Sequence, residues 1–177
     1  MKFRSEIFIG LTAVFVSICA LFVSIRQSQM MKVQQEAMLY PHLILGKGYN
    51  SEGFTISLKN SGTGLAMIKS VEVNCGEEQF SNWPSIFDYY LPQGHNVGWN
   101  IVGATSIQDA VLIPGEEVTI FRTSWNPETR ILVDSLSTLN FKIQYASLLK
   151  EHWEISTEQG TPKKIKYTPN EASLQFD

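Results

Sequence analysis

The side chains able to do chemistry are few and scattered along this chain. His42, His95 and His152 lie far apart, and no HExxH or Cys/His spacing gathers ligands for a metal. Cys19 falls inside an apolar run and Cys75 well beyond it, so the two thiols cannot pair with each other. No phosphate-cradling glycine loop of the required spacing leads into a Lys-Ser/Thr pair, and no GxSxG nucleophile elbow occurs. Asp88 and Asp134 each fall in an expected helix without an evident partner. These patterns point away from an enzyme, with no catalytic, metal-binding or cofactor-binding residue and no cofactor.

Aromatic residues give a different hint. Trp83, Phe87, Tyr89 and Tyr90 crowd one short segment, while Trp99, Trp125 and Trp153 fall near expected strand ends. One reading is a stacking platform for a sugar or peptide, with Trp83, Tyr89 and Tyr90 as the contact residues. The other is a cover over the open end of a β-sandwich. In an oligomer the same segment would pack against a neighbouring subunit. The net charge of −3 and a pI near 5.6 leave no overall surface for nucleic acid. Lys163, Lys164 and Lys166 read either as solvating charges or as a local patch for anionic lipid or nucleic acid.

The elements that must position these groups begin with a membrane segment. Ile7 to Ile25 is nineteen residues without a charge, twelve of them Leu, Ile, Val or Phe. At about 1.5 Å per residue it matches the roughly 30 Å hydrocarbon core. It exceeds the apolar core of a cleaved signal, and Ser24-Ile25-Arg26 is no small-x-small exit, so a retained single-pass span is expected. Gly10, Ala13, Ser17, Ala20 and Ser24 recur at alternating steps of three and four and share one helical face. Small residues there let another helix approach, which predicts self-association. Lys2 and Arg4 before the span balance Arg26 and Lys32 after it, so the positive-inside rule gives the soluble part no side.

Arg26 to Leu39 holds no Gly or Pro and continues the helix until Pro41 ends it. Met30, Val33, Ala37 and Tyr40, flanked by Met31 and Met38, form an apolar face there. The small-residue stripe extends at the same spacing through Gln27, Met31, Gln34 and Met38. Half of those are polar, which suits a loosely packed or water-lined ring better than a tight coiled coil.

The remainder reads as mainly β. Phe54 to Lys59 alternates apolar and polar, and Asn60-Ser61-Gly62-Thr63-Gly64 follows as a loop whose glycines allow positive φ. Ile68–Val73, Val111–Ile113, Val118–Phe121, Phe141–Tyr145 and Trp153–Ile155 continue as strands, with a turn at Pro114-Gly115-Glu116. Turn signals at these intervals fit an immunoglobulin-like sandwich. Two short helices interrupt it: Ser81–Leu91, with Asn82 and Pro84 at its start, and Asn126 to about Ser135. The expected organisation is 1–40 as transmembrane plus juxtamembrane helix, 41–159 as the β-sandwich and 160–177 as a polar tail or edge strand.

Tyr40-Pro41-His42-Leu43, the Asn60 to Gly64 loop, Ile113-Pro114-Gly115-Glu116 and Tyr145 through Trp153 carry a resemblance. The chain resembles bacterial single-pass proteins in which a membrane helix and a Gln-rich juxtamembrane helix lead into an immunoglobulin-like sandwich, a group without one shared activity. In size, single span and β-rich remainder it is also similar to the small membrane accessory proteins of type VI-B CRISPR systems. No Arg is followed four to six residues later by a His, so the spacing usual in the helical ribonucleases of prokaryotic defence is missing. The second resemblance implies an oligomeric pore in the bacterial inner membrane that strengthens antiphage defence, with an RNA-guided effector or its signal as partner.

Two functions follow as expectations. In the first, the chain oligomerises through Gly10, Ala13, Ser17, Ala20 and Ser24 and lines a pore with Ser17, Ser24, Gln27 and Gln34. In the second, a monomeric sandwich on a stalk recognises a protein or glycan through Trp83, Tyr89 and Tyr90. The bilayer is a partner in both.

Overall fold

The structure is a computed structural model that describes residues 2–91, 101–125, 127–166 and 176. His95 and Trp99 lie outside the described residues, as does the side chain of Asp134. The chain divides into two compact units, Met1–Met38 and Leu39–Asp177.

The first unit is one helix, α1 (Lys2–Met38), 37 residues and so about 55 Å long. It is long and apolar enough to cross a membrane, with a mean hydropathy of 2.5 in its best window and none of that window buried. All twelve large apolar residues from Ile7 to Ile25 are exposed, as are Met30, Met31, Val33 and Met38 further on. Thr12 and Ser17 donate their hydroxyls back to Phe8, Ile9 and Ala13 carbonyls at 2.8 to 3.0 Å. Each polar hydrogen is thus satisfied within the helix, as a lipid environment requires.

The second unit is built on antiparallel strands. They are β1 (Leu43–Tyr49), β2 (Gly53–Asn60), β3 (Ala66–Cys75), β4 (Glu78–Phe80), β5 (Ile101–Ala104), β6 (Val111–Leu112), β7 (Glu117–Ser124), β8 (Asn140–Ala146), β9 (His152–Ser156) and β10 (Lys163–Ile165). One sheet has the order β1-β2-β7-β5. The other runs β10-β9-β8-β3-β4, with β6 also pairing with β3. Two helices lie between strands, α2 (Trp83–Tyr90) and α3 (Pro127–Ser137).

The period-2 pattern of β2 puts Phe54, Ile56 and Leu58 into the core that Ile143, Tyr145 and Ile155 of the second sheet also enter. In β3 and β7 the alternation changes at a β-bulge. In β3 the register shifts between Ile68 and Ser70, so Lys69 has no opposite number. The buried set then changes phase, from Ala66 and Ile68 to Val71 and Val73. The backbone freed at the bulge is taken up by a loop: the Ile68 N–H bonds to the Ala110 carbonyl at 2.9 Å, and Gln108 Nε2 donates to the Lys69 carbonyl at 3.1 Å. In β7 the extra residue is Ile120, which lets Ile120 and Phe121 both face inward.

Local chemistry sets the helix ends. Asn82 caps α2 by accepting the Ser85 N–H at 2.9 Å, and Pro84 occupies the first turn. Lys47 donates from Nζ to the Ser137 and Leu139 carbonyls at 2.9 and 2.8 Å, placing a cation at the negative end of α3. On the outer face of the second sheet, Lys142 lies between Glu72 and Glu154 at 3.6 and 3.5 Å. The mostly buried Glu72 carboxylate thus has a cation beside it.

The polar end of the chain takes part in the fold. Lys163 to Ile165 adds the edge strand β10 beside β9, and Phe176 is buried in the hydrophobic core.

Candidate functional sites on the helix and at its junction

On α1, the spacing of Gly10, Ala13, Ser17, Ala20 and Ser24 confines them to about 80° of arc. All five are exposed. A Cβ built on Gly10 meets no atom within 4 Å. Nothing inside this chain therefore requires glycine at that position, unlike most glycines of the β unit. Continuing the same spacing brings Gln27, Met31, Gln34 and Met38 onto the seam, in a 3–4 repeat that runs unbroken to the end of the helix. Arg26, Gln29, Met30, Val33 and Gln34 line an open depression beside it.

Where the chain enters the β unit, a backbone clasp holds it. The Tyr40 carbonyl accepts the Thr63 and Gly64 N–H groups at 2.9 and 3.1 Å, and the His42 carbonyl accepts the Ser61 N–H at 2.8 Å. Asn60 is fully buried and ties the clasp together. Its Oδ1 accepts the Gly62 N–H at 3.0 Å, with His42 N 3.3 Å away. Its Nδ2 donates to the Gly64 and Leu112 carbonyls at 2.8 and 3.0 Å.

The glycines of this loop serve a purpose other than the positive φ expected of them. The positive-φ glycines among the described residues are Gly76, Gly115 and Gly160. Gly62 and Gly64 are needed for close approach: a Cβ on Gly62 would stand 2.3 Å from the Tyr40 oxygen, and one on Gly64 2.0 Å from the Leu39 oxygen. In the sequence Asn60 reads as an ordinary turn residue. A lone Asn in a polar loop carries no signal that its amide will be buried.

Tyr145 secures the same segment from below. Its fully buried hydroxyl donates towards the Pro41 carbonyl at 3.5 Å and accepts the Leu43 N–H. Desolvation holds its pKa well above the ordinary tyrosine value, outweighing the Leu43 hydrogen bond, which acts to lower it. A folded-state pKa raised in this way stabilises the fold fully below the unfolded value of about 10, and the stabilisation is lost as pH rises past it. Burial lowers the Lys47 pKa, so Lys47 favours the fold as pH rises. That gain is complete near its ordinary value of about 10.4, where the tyrosine loss begins. Above about pH 10 the domain is therefore expected to lose up to about 1.4 kcal/mol per pH unit through Tyr145. An alkaline titration followed by near-ultraviolet circular dichroism checks this, and Tyr145→Phe should flatten the profile above pH 10.

The aromatic cluster of α2 divides into two parts. Trp83 is only 6% exposed; its ring stacks on Phe121 at 4.5 Å and also contacts Phe87, Phe141 and Phe176. It is a core residue, and its expected role as a surface contact is corrected: the amphipathic helix turns Trp83 and Ile86 inward. Tyr89 is 56% exposed and leans edge-on against Phe80 and Tyr90. Tyr90 is half-buried, with its hydroxyl 3.2 Å from Thr138 Oγ1. Of the three expected contact residues, Tyr89 is the one that presents most of its ring to solvent. No cluster of three or more His, Cys, Asp or Glu side chains able to hold a metal occurs among the described residues.

Comparison with known protein families, curated proteins and solved structures returns no match to this chain.

Proposed function

We propose that this chain is a non-enzymatic, single-pass membrane protein that assembles with copies of itself along α1 and carries an immunoglobulin-like β-sandwich with two helical insertions. One observation supports self-assembly above the others. Apolar exposure on α1 does not stop at Arg26 but continues through Met30, Met31, Val33 and Met38, up to about 20 Å past the nineteen-residue apolar run. Lipid tails can cover the first part of the helix, but not the second. Fully covering a Met or Val side chain is worth about 1.5–3 kcal/mol, and a neighbouring copy of the helix supplies that cover. Met31 and Met38 lie on the seam that begins at Gly10, so one helix–helix contact serves both parts.

Within such an assembly Ser17, Ser24, Gln27 and Gln34 are the polar positions of the seam, and they would line a pore if the ring opens to water. A role in RNA-guided antiphage defence at the bacterial inner membrane, with an effector or its signal as partner, rests on architectural resemblance alone. A CRISPR array and a large RNA-targeting nuclease encoded beside this gene would support it.

The assembly is tested by changing Gly10 and Ala13 to Leu together. Neither bulk nor polarity should disturb an isolated helix, because the space around Gly10 is open. The expected result is a shift from oligomer to single chains in mild detergent, measured by light scattering, with membrane insertion unchanged. Complexes of unaltered size would overturn the proposal. The second reading, a monomeric binding module, draws support from the exposure of Tyr89, and Tyr89→Ala is the variant that tests it.

A further inference from the structure

The outer edge of β3 is interrupted. Ala66 and Met67 pair with β6 and Val73 to Cys75 pair with β4, which leaves Ile68 to Glu72 facing no strand on that side among the described residues. Gln108 and Ala110 serve the bulge end of this gap. The Val71 carbonyl, in its middle, accepts the N–H of a single distant residue, Phe176, at 2.9 Å. The Phe176 side chain is 3% exposed and meets Trp83 edge to face, 5.3 Å between ring centres and 88° between planes. The chain thus seats one phenylalanine on a sheet edge as a strand-adding peptide would, with a backbone bond beside an aromatic slot.

The occupant does not complete the site. Trp83 is more than nine-tenths buried, and its Nε1–H has no acceptor among the described residues. A buried donor left unpaired weakens whatever state contains it. In an extended segment, residues two apart share a face, so an acceptor able to follow a seated Phe towards Trp83 belongs two positions from it. In this sequence the residue two before Phe176 is Leu174, which offers none.

We propose that the gap in the β3 edge is a recognition site for an extended peptide of a partner protein, one carrying Asp, Glu, Asn or Gln two residues before a Phe, and that Phe176 occupies it as a displaceable stand-in. The peptide adds to β3 through the Val71 carbonyl, fills the slot against Trp83 and gives the indole its missing acceptor. This inference is independent of assembly along α1.

The test uses the full chain in lipid nanodiscs with a protease site inserted after Lys166, so that cutting frees the tail without altering any residue of the slot. The probe is a fluorescent synthetic peptide with the sequence of residues 170–177. The expected result is saturable binding to the cut protein, at least about ten-fold weaker binding to the uncut one, and a similar loss when the Phe of the probe is replaced by Ala. A second probe with Asn in place of the Leu two before Phe should bind about ten-fold tighter than the first. Near-ultraviolet circular dichroism of the cut protein confirms that the slot is still formed. Equal affinity of the two probes, or no binding to a cut protein that keeps its native spectrum, would overturn the proposal. A benzophenone at position 176 of the uncut chain cross-linking mainly to Val71 or Trp83 of another copy would do the same, because the occupant would then be a second copy's tail.

Discussion

Replacing Gly64 with Ala should cost the β unit about 2–4 kcal/mol. The new Cβ would stand 2.0 Å from the Leu39 carbonyl oxygen and 2.3 Å from its carbon, both backbone atoms that no rotamer change can clear. The clasp must open, and with it go the Gly64 N–H bond to Tyr40 and the Asn60 Nδ2 bond to the Gly64 carbonyl. Overpacking typically costs about 1–3 kcal/mol, and each buried polar group left unpaired adds about as much again. For a unit of this size the midpoint of thermal unfolding should fall by roughly 6–15 °C. Gly10→Ala is the control, since open space surrounds that position and no change in melting is expected. A Gly64→Ala protein that melts with the parent would show that the loop yields freely and that the clasp holds nothing.

Trp83→Ala should be at least as damaging, at about 3–5 kcal/mol, because it empties the place where α2 meets both sheets. Phe121 comes from one sheet and Phe141 from the other, and Trp83 contacts both. Against a total stability of 5–15 kcal/mol typical of such units, loss of cooperative unfolding is within range. Tyr89→Ala removes an exposed ring with two edge-on contacts and should cost about 1 kcal/mol or less. Urea melts of the two variants separate the roles. If Trp83→Ala unfolds with the parent, the ring is not the pin described above. If Tyr89→Ala proves the more destabilising, the two halves of the cluster are assigned the wrong way round.

What could be read from the sequence follows how local each determinant is. The seam on α1 needs only helical periodicity, so its residues share a face whatever surrounds them. The start of α2 is equally local, because Asn82 and Pro84 act within one turn. The alternation in β2 and the turn closed by Gly115, at φ 83°, also depend on neighbours close in sequence. By contrast β1 went unread, because Gly46 and Gly48 break its apolar pattern and only pairing with β2 makes it a strand. The clasp joins Asn60 to residues eighteen and more positions away, and Phe176 meets Trp83 from the far end of the chain. Such long-range contacts leave no periodic trace, so a polar-looking tail conceals a core residue and a loop Asn conceals the centre of a junction.

Lys69 shows what kind of change this architecture permits. Its side chain points to water, so nearly any letter can stand there. Its loss should be tolerated as well: Ile68 and Ser70 already pair with the consecutive residues Tyr145 and Gln144, so without the extra residue the ladder closes and Val71 and Val73 stay inward. Homologous genes should therefore vary in spelling at this codon and sometimes omit it.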